Sequence, residues 1–505
     1  MTRTTRTPLA LLLVAVLAIS ASLAALTTTP AQAADVAARK KPAPVGTVTL
    51  GDARISGSKA NVPLSWRKAA GAKTYQVLWA PTRTMKKARS TTVRKRSATV
   101  RGLAVGKTWC FQVRGVAGKK KGKRSAPVCL RVAKPGQSKS PWVTKQSVAG
   151  GRAELTLTWR ATAGARKYEL DYAVTPLPVE KHKLWENKGR RTLTTSTNVG
   201  VLKGLLPNTI YCFQVRAITA GGASDRSPTH CKLTMPTNRS VAPANAGSLD
   251  AVTWNVCGGT ADSCDGHGFN SRVAKIGSRI AKMNVDVAML QETPAGSDTA
   301  VARAAGFTLG CGPSDGTGAA EAVLVRTNTY SIIDVGDRLL DPGACWVELE
   351  NNASGHRVIV VSLHLTPGTD AEKVAERERQ IREVLRWLPR RPGVPVVMGG
   401  DYNSSRSRDD DSPRPPLESA GFRDSYDIAA AYNSPTAANS MNRWNRTPQD
   451  STLWGAHIDR VFSSSDTYVS SWQVVEPRGS DGRYIEPLSD HSPVKVTLRI
   501  PRSPS

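Results

Sequence analysis

After its first 33 residues, the 505-residue sequence has no run approaching the ~20 apolar residues that a membrane-spanning helix needs. None of its eight cysteines forms a CxxC pair, which excludes the common cysteine-ligated zinc motifs. Acidic residues are the third shortage: 40 Asp and Glu stand against 70 Lys and Arg, for a net charge of +30. That shortage is local. Residues 34–140 carry 26 Lys and Arg against 2 Asp and Glu, or +24, and residues 141–246 carry 15 against 6, or +9. Residues 247–505 carry 27 against 32, or −5, and the leader supplies the remaining +2. A cationic field confined to one part of the chain attracts polyanions there: nucleic acid, anionic cell-wall polymers or an acidic membrane surface. Segment 404–455 lacks an apolar cluster. It holds Asp409-Asp-Asp411 and many Ser, Asn and Arg residues, with Trp444 and Trp454 as isolated aromatics, which argues against membrane insertion.

What is present begins with a leader. Arg3 and Arg6 precede the apolar stretch Leu9 to Leu26, and Ala31-Gln32-Ala33 is a small-residue cleavage site. Residues 1–33 therefore read as a signal peptide, and the mature protein as secreted and extracellular. Export places the cysteines where disulfides persist. Cys110 and Cys129 have the same separation as Cys212 and Cys231, in two segments that resemble each other, so these pairs are expected. Sequence proximity makes Cys257–Cys264 and Cys311–Cys345 the default for the other four.

The chain is too long for one core. Trp109-Cys-Phe-Gln-Val-Arg114 returns as Tyr211-Cys-Phe-Gln-Val-Arg216, and Leu64-Ser-Trp66 returns as Leu157-Thr-Trp159. Each repeat is a set of short alternating strands with Gly and Pro turns, the pattern of a β-sandwich. These segments resemble fibronectin type III domains through Trp66, Tyr75 and Leu103 to Val113, and through Trp159, Tyr168 and Leu206 to Val215. Trp109 stands where that family usually has Tyr. The expected organisation is a linker at 34–44, domains at 45–133 and 142–235, a second linker at Lys134–Pro141, and a third at 236–247 before a domain at 248–501. The run Lys119, Lys120, Lys121, Lys123 and Arg124 is expected at a hairpin tip, where it offers a polyanion contact. With linkers on either side the modules read as appended attractors, so deleting 34–246 is expected to weaken polyanion binding at low salt and to leave the rest of the chain working.

From Leu249 the pattern changes to strands alternating with helices. Leu249 to Val256, Val285 to Leu290, Val358 to His364, Val394 to Met398 and Val494 to Ile500 read as strands. Val273, Ile276, Ile280 and Met283 fall at helical spacing, and Thr369-Asp-Ala-Glu372 reads as a capping box for a second helix. The outstanding polar residues sit where the strands end: Asn255, Glu292, His364, Asp401, Asn403, Asp459, Asp490 and His491. Ligands bind at such strand ends because rigid strands present distant residues into one crevice. Glu292 and Asp490 are hard oxygen donors suited to Mg²⁺ or Mn²⁺, and two histidines can move protons near neutral pH. Asp459 can orient one imidazole, and the amides of Asn255 and Asn403 can position phosphate or water without adding charge. His267, His356 and His457 read as structural histidines. The set points to phosphate chemistry.

In order along the chain, TWNV at 253–256, LQET at 290–293, SLHL at 362–365, GDYN at 400–403, HIDRVF at 457–462 and SDHSP at 489–493 resemble the endonuclease/exonuclease/phosphatase, or deoxyribonuclease-I-like, superfamily. The resemblance implies two fibronectin type III-like β-sandwiches followed by a four-layered α/β sandwich. It implies a hydrolase whose metal ligands are Glu292, Asp490 and Asn255, with Mg²⁺ first and Mn²⁺ or Ca²⁺ as alternatives. It implies that His491, paired with Asp459, activates water; that Asp401 and Asn403 bind phosphate or the transition state; and that His364 donates to phosphate or the leaving oxygen. The base is open between His491 and Asp401. Glu321 is the nearest candidate partner for His364, and Arg326 is a candidate phosphate contact. An extracellular nuclease acting as a monomer is the leading expectation. A phosphodiesterase or phosphatase for lipid headgroups or small molecules, and a non-catalytic polyanion- or surface-binding protein, are the alternatives.

Overall fold

A computed structural model describes residues 41–175, 189–258, 264, 266–313, 319–336, 339–408, 411–436, 438–449, 453 and 455–502. The leader 1–33, the first linker up to residue 40, Asp409, Asp410 and Trp454 lie outside the described residues. Among the described residues no helix is long and apolar enough to cross a membrane. The chain divides into two compact units. One holds Met1–Gly51, Val62–Val100 and Thr108–Leu130; the other holds Asp52–Asn61, Arg101–Lys107 and Arg131–Ser505.

In the first unit, Phe111 and Val113 are fully buried at alternate positions of the strand Thr108–Ala117. This strand pairs with Thr74–Ala80, which pairs in turn with Arg89–Val93. Trp66 packs edge-on against Tyr75 at 5.5 Å. Cys110 is bonded to Cys129. The turn at Gly118 and Lys119 leads into the short strand Lys120–Lys121, so the basic run does sit on a hairpin.

In the second unit, the strand Gly247–Asn255 is buried on both faces, as central strands are. Leu249 and Ala251 face one core; Val252 and Trp254 face another. The first core lies between two sheets. A ten-stranded sheet runs in the order Val199–Leu205, Arg152–Thr158, Trp142–Ala149, Ala431–Tyr432, Tyr468–Val474, Val494–Ile500, Gly247–Asn255, Val287–Pro294, Ala319–Val325, Thr308–Cys311. A seven-stranded sheet packs on it, centred on Gly343–Asn351, Arg357–His364, Val396–Asp401 and Asp459–Ser463. The helices Val273–Lys282 and Ser297–Ala305 cover the outer face of the first sheet through Ile276, Ile280 and Val301. The helix Ala371–Trp387 covers the second through Ile381 and Val384. The result is four layers, helix–sheet–sheet–helix. Cys311 and Cys345 bond one sheet to the other, and Cys212 and Cys231 bond adjacent strands of the second module.

One local expectation needs correction. The cap of the helix Ala371–Trp387 is Asp370, whose Oδ1 accepts from Lys373 N at 3.0 Å; Thr369 is not the cap. The linker Lys134–Pro141 is held against the second module: Ser138 is buried with its hydroxyl 3.3 Å from that of Ser224, and Gln137 donates to Arg226 O at 2.7 Å. The linker 236–247 is anchored as well. Arg239, 3% exposed, donates to Ser464 O at 2.6 Å and Gly421 O at 2.8 Å.

The second module is continuous with the four-layered domain. Lys145 pairs with Ala431 across the sheet, and Gln146 N donates to Ala430 O at 2.8 Å. The Gln146 amide donates to Asp427 O and Ala429 O, both at 2.8 Å, and its Oε1 accepts from Met235 N at 3.0 Å. Lys232 is fully buried, donates to Asp427 O at 3.0 Å, and lies over the rings of Tyr426 and Tyr432. The notion of appended modules therefore fails for the second one: cutting it away would bare a sheet edge and leave these carbonyls unpaired.

Candidate active site

The site forms where both sheets end. In the seven-stranded sheet, His364 is the lateral neighbour of Asp401, and Asp401 is the neighbour of Asp459. Three residues from three strands thus form one row across the sheet. In the ten-stranded sheet, Asn255 lies beside Gln291. The next residue, Glu292, sits where the register shifts between Leu290 and Thr293, with φ at 55°. A bulge of this kind re-aims a side chain, and a left-handed conformation is uncommon for Glu.

Hydrogen bonds join the two sheet ends. Asn255 Nδ2 donates to Glu292 Oε1 at 2.8 Å and to Asp401 Oδ2 at 3.2 Å. Asp401 Oδ1 accepts from Asn403 N at 2.8 Å, and Asn403 Nδ2 lies 3.2 Å from His364 Nε2. His491 Nδ1 is 2.9 Å from Asp459 Oδ2, while its Nε2 is 3.8 Å from Asp401 Oδ2 and 3.9 Å from Asp490 Oδ1. Burial alone would push the His491 imidazole down, but Asp459, with Asp401 and Asp490, outweighs it and holds the group up at about 10.

Of the expected residues, Asn255, Glu292, His364, Asp401, Asn403, Asp459, Asp490 and His491 come together here. Glu321 joins them: its Oε1 is 3.9 Å from His364 Nδ1. A Cβ at Gly343 would collide with Glu321 Oε2, so that glycine makes room for the carboxylate. Arg326 does not join them. It follows Val325, which pairs with Val287 at the end of the strand remote from Glu292. Its Nε donates to Val285 O at 2.8 Å and its guanidinium lies over Phe307, so Arg326 closes the far end of the sheet and is not a substrate contact. In the first unit, Lys119, Lys121, Lys123 and Arg124 are exposed and Lys120 is half-buried.

Supporting residues escaped the sequence. Ser440 Oγ accepts from Asp459 N at 3.1 Å, Ser489 Oγ donates to Asn255 O at 2.6 Å, and Trp254 Nε1 donates to His491 O at 3.0 Å. Ser489 and Trp254 lie inside the quoted motifs; Ser440 sits in a polar loop with no signal of its own.

A model for the Endonuclease/Exonuclease/phosphatase family matches residues 252–491, the stretch that holds every residue of this site. That stretch is an endonuclease/exonuclease/phosphatase domain. A Fibronectin type III domain model matches residues 143–230, ahead of the endonuclease/exonuclease/phosphatase domain. No curated protein matches the chain. Among solved structures, the chain is similar to an endonuclease/exonuclease/phosphatase family protein from Bacteroides thetaiotaomicron, at 20% identity over 50% of this chain and 98% of that one, with a TM-score of 0.42. It is also similar to a mannosyl-6-phosphatase from the same organism, at 21% identity over 50% and 99%, with a TM-score of 0.41. A third is D. rerio TDP2 complexed with single-strand DNA product, at 19% identity over 50% and 99%, with a TM-score of 0.36. The family's enzymes are phosphoesterases and generally use divalent metals.

The donor set fits such an ion. Asp401, Asp459 and His491 offer ligand atoms within 4.8 Å of one another. An Asp490 oxygen lies within 4.8 Å of both sulfurs of the Cys257–Cys264 bridge, and Cys264 Sγ is 3.6 Å from Glu292 Oε2. Asp490 and Glu292 therefore flank one bridge, on the same side of the domain. Asp401 and Asp490 are 2% and 3% exposed. Both face His491 Nε2, at 3.8 and 3.9 Å, and buried carboxylates gathered round one point call for a compensating cation.

Proposed function

We propose that the protein is a secreted, metal-dependent phosphodiesterase that acts on nucleic acid. The observation that carries the chemistry is the buried His491–Asp459 pair, whose outer nitrogen faces Asp401 and Asp490. Glu292, braced by Asn255, and Asp490, braced by Ser489, would hold an oxygen-seeking ion, Mg²⁺ first and Mn²⁺ or Ca²⁺ within the same class. Once bound, the ion would offset the carboxylates, ease His491 toward its neutral form and neutralise charge on the phosphate.

Asp459 keeps His491 Nδ1 occupied, which leaves Nε2 to take a proton from attacking water. Asn403, fixed through its backbone to Asp401, offers a neutral donor to a phosphate oxygen. His364, with Glu321 at its Nδ1, directs Nε2 to the same place and can give a proton to the leaving oxygen. Export is supported by the leader at 1–33 and the four disulfides. A polymeric anion is supported by the first module, which carries no Asp or Glu between Asp52 and Glu154.

The test is hydrolysis of bis-p-nitrophenyl phosphate, DNA and RNA by the purified chain with Mg²⁺, with Mn²⁺ and with chelator. Wild type should act only with metal, and His491→Ala should lower kcat by about 10²- to 10⁴-fold. No hydrolysis in any metal would remove the reading. Turnover of sphingomyelin or sugar phosphates with DNA and RNA untouched would keep the hydrolase and remove the nucleic acid.

A further inference from the structure

The two loops that flank Glu292 and Asp490 meet in an aromatic stack. One is pinned by the Cys257–Cys264 bridge beside Glu292 and carries His267, whose N–H donates to Cys264 O at 3.1 Å. The other carries Trp444, and the His267 and Trp444 rings are parallel, with centroids 3.7 Å apart and planes 9° apart. Asn442 N and Arg443 N donate to Asp490 O at 2.7 and 2.8 Å, so this second loop is fastened directly to a candidate metal ligand. Arg272 locks both loops from beneath. Its guanidinium donates to Val256 O, Cys257 O, Leu488 O and His267 O, and lies 5.2 Å from the Trp444 ring centroid.

What this assembly presents outward is specific. His267 is exposed on the stack. Arg443 is exposed too, and its guanidinium has no hydrogen bond or ion pair among the described residues. Arg443 and Trp444 both adopt left-handed backbone, with φ at 51° and 60°. Two successive non-glycine residues rarely do so, and such strain persists only where surrounding bonds enforce it. Here Asn442 Oδ1 accepting from Trp444 N at 2.7 Å, together with the two bonds to Asp490 O, enforces it. The fold thus holds a free cation and a planar ring at the rim of the carboxylate cluster, on loops that the reaction itself does not use.

We infer that His267 and Arg443 form a substrate subsite for a polynucleotide strand, His267 stacking on a base and Arg443 pairing with a phosphate that flanks the scissile one. A planar group together with a second anion near the reacting phosphorus is a feature of a nucleic acid; a sugar phosphate or a lipid headgroup offers no flat base to stack. Stacking on the Trp444-backed imidazole is tolerant of sequence, because every base has a π-face. The inference rests on the hydrolase reading and narrows it to one substrate class.

Three substrates separate the two: a single-stranded DNA oligonucleotide, the same backbone with abasic residues, and methyl p-nitrophenyl phosphate, all with Mg²⁺. His267→Ala should raise KM on the oligonucleotide roughly tenfold and leave the abasic strand unchanged, and His267→Phe, which keeps a flat face, should restore the wild-type value. Arg443→Asn, which tolerates the left-handed backbone, should raise KM on both strands. Neither should alter turnover of methyl p-nitrophenyl phosphate. Equal effects of His267→Ala on base-bearing and abasic strands, or none on either, would overturn the subsite while the hydrolase stands. Wild-type turnover of the small diester with no turnover of DNA or RNA would do the same, whereas no turnover of any substrate would take both readings down.

Discussion

Both fibronectin-like modules set a Trp edge-on against a Tyr, Trp66 on Tyr75 and Trp159 on Tyr168, and both carry a disulfide with a sequence separation of 19. They part company in what they do with charge. In the first, Arg114 Nε donates to the neutral Gln76 Oε1 at 2.9 Å; at the matching place in the second, Arg216 Nε donates to the Glu169 carboxylate at 2.7 Å. Arg114 is held below the usual guanidinium range by burial and by the neighbouring Arg124. The first module sets a single acid, Asp52, against its many cations. The second pairs some of its own, Arg216 with Glu169 and Arg226 with Asp171, and turns Gln146 and Lys232 toward the four-layered domain. One sandwich pattern therefore serves as a charged surface in one place and as three strands of the ten-stranded sheet in the other.

The comparison breaks most visibly on truncation. A fragment of residues 248–502 should fail to fold or should aggregate, because it loses the strand beside Ala431 and exposes what Gln146 and Lys232 cover; soluble yield and circular dichroism would report this. A fragment that melts within a few degrees of the full chain would reduce the second module to an attachment.

Acid gives the next largest effect. His230 bonds Thr436 at 2.9 Å across this junction, and burial, aided by Lys232, pushes its imidazole down to about 3. Burial likewise lowers His457 to about 4. An unfolded histidine takes a proton near pH 6.5, so both groups contribute stability that is present above that pH and lost as pH falls toward 4 and 3. Thermal melting should show Tm falling across that window, and His230→Asn should flatten the profile. His491 runs the other way. With its imidazole at about 10, it stabilises the metal-free fold below pH 6.5 and gives that up as pH rises toward 10.

The smallest change in stability belongs to the first module. Replacing Lys119, Lys120, Lys121, Lys123 and Arg124 with Gln should change the unfolding free energy by no more than ~0.5 kcal/mol per site, as is typical of surface positions. The same change should lower the slope of log K against log salt for single-stranded DNA by about 0.7 for each phosphate that the loop no longer neutralises. An unchanged slope would deny this loop any part in binding.

Much of this architecture was legible because the site residues end strands. A strand end is marked in sequence by an apolar run stopping at a polar residue, as at Asn255, His364 and Asp401. The two-residue and 3.6-residue periods likewise marked the central strand and the helix carrying Ile276 and Ile280. Counting residues cannot show a bulge. The irregular register between Leu290 and Thr293 is why Glu321 could not be matched firmly to His364 and why Arg326 looked available. The junction was hidden for a different reason. Gln146 and Asp427 are 281 residues apart, and no local pattern announces which strand will lie at a sheet's edge.

The row of His364, Asp401 and Asp459 carries a last consequence. Its spacing is set by the backbone ladder, with neighbouring strands about 4.8 Å apart, and not by rotamers or loops. Warming cannot stretch that ruler gradually, because a strand slides only in whole-residue steps that would turn every side chain to the wrong face. Hydrolysis should accordingly persist up to the melting transition of the sheet and vanish with it, without a preceding range in which the protein is folded but inert.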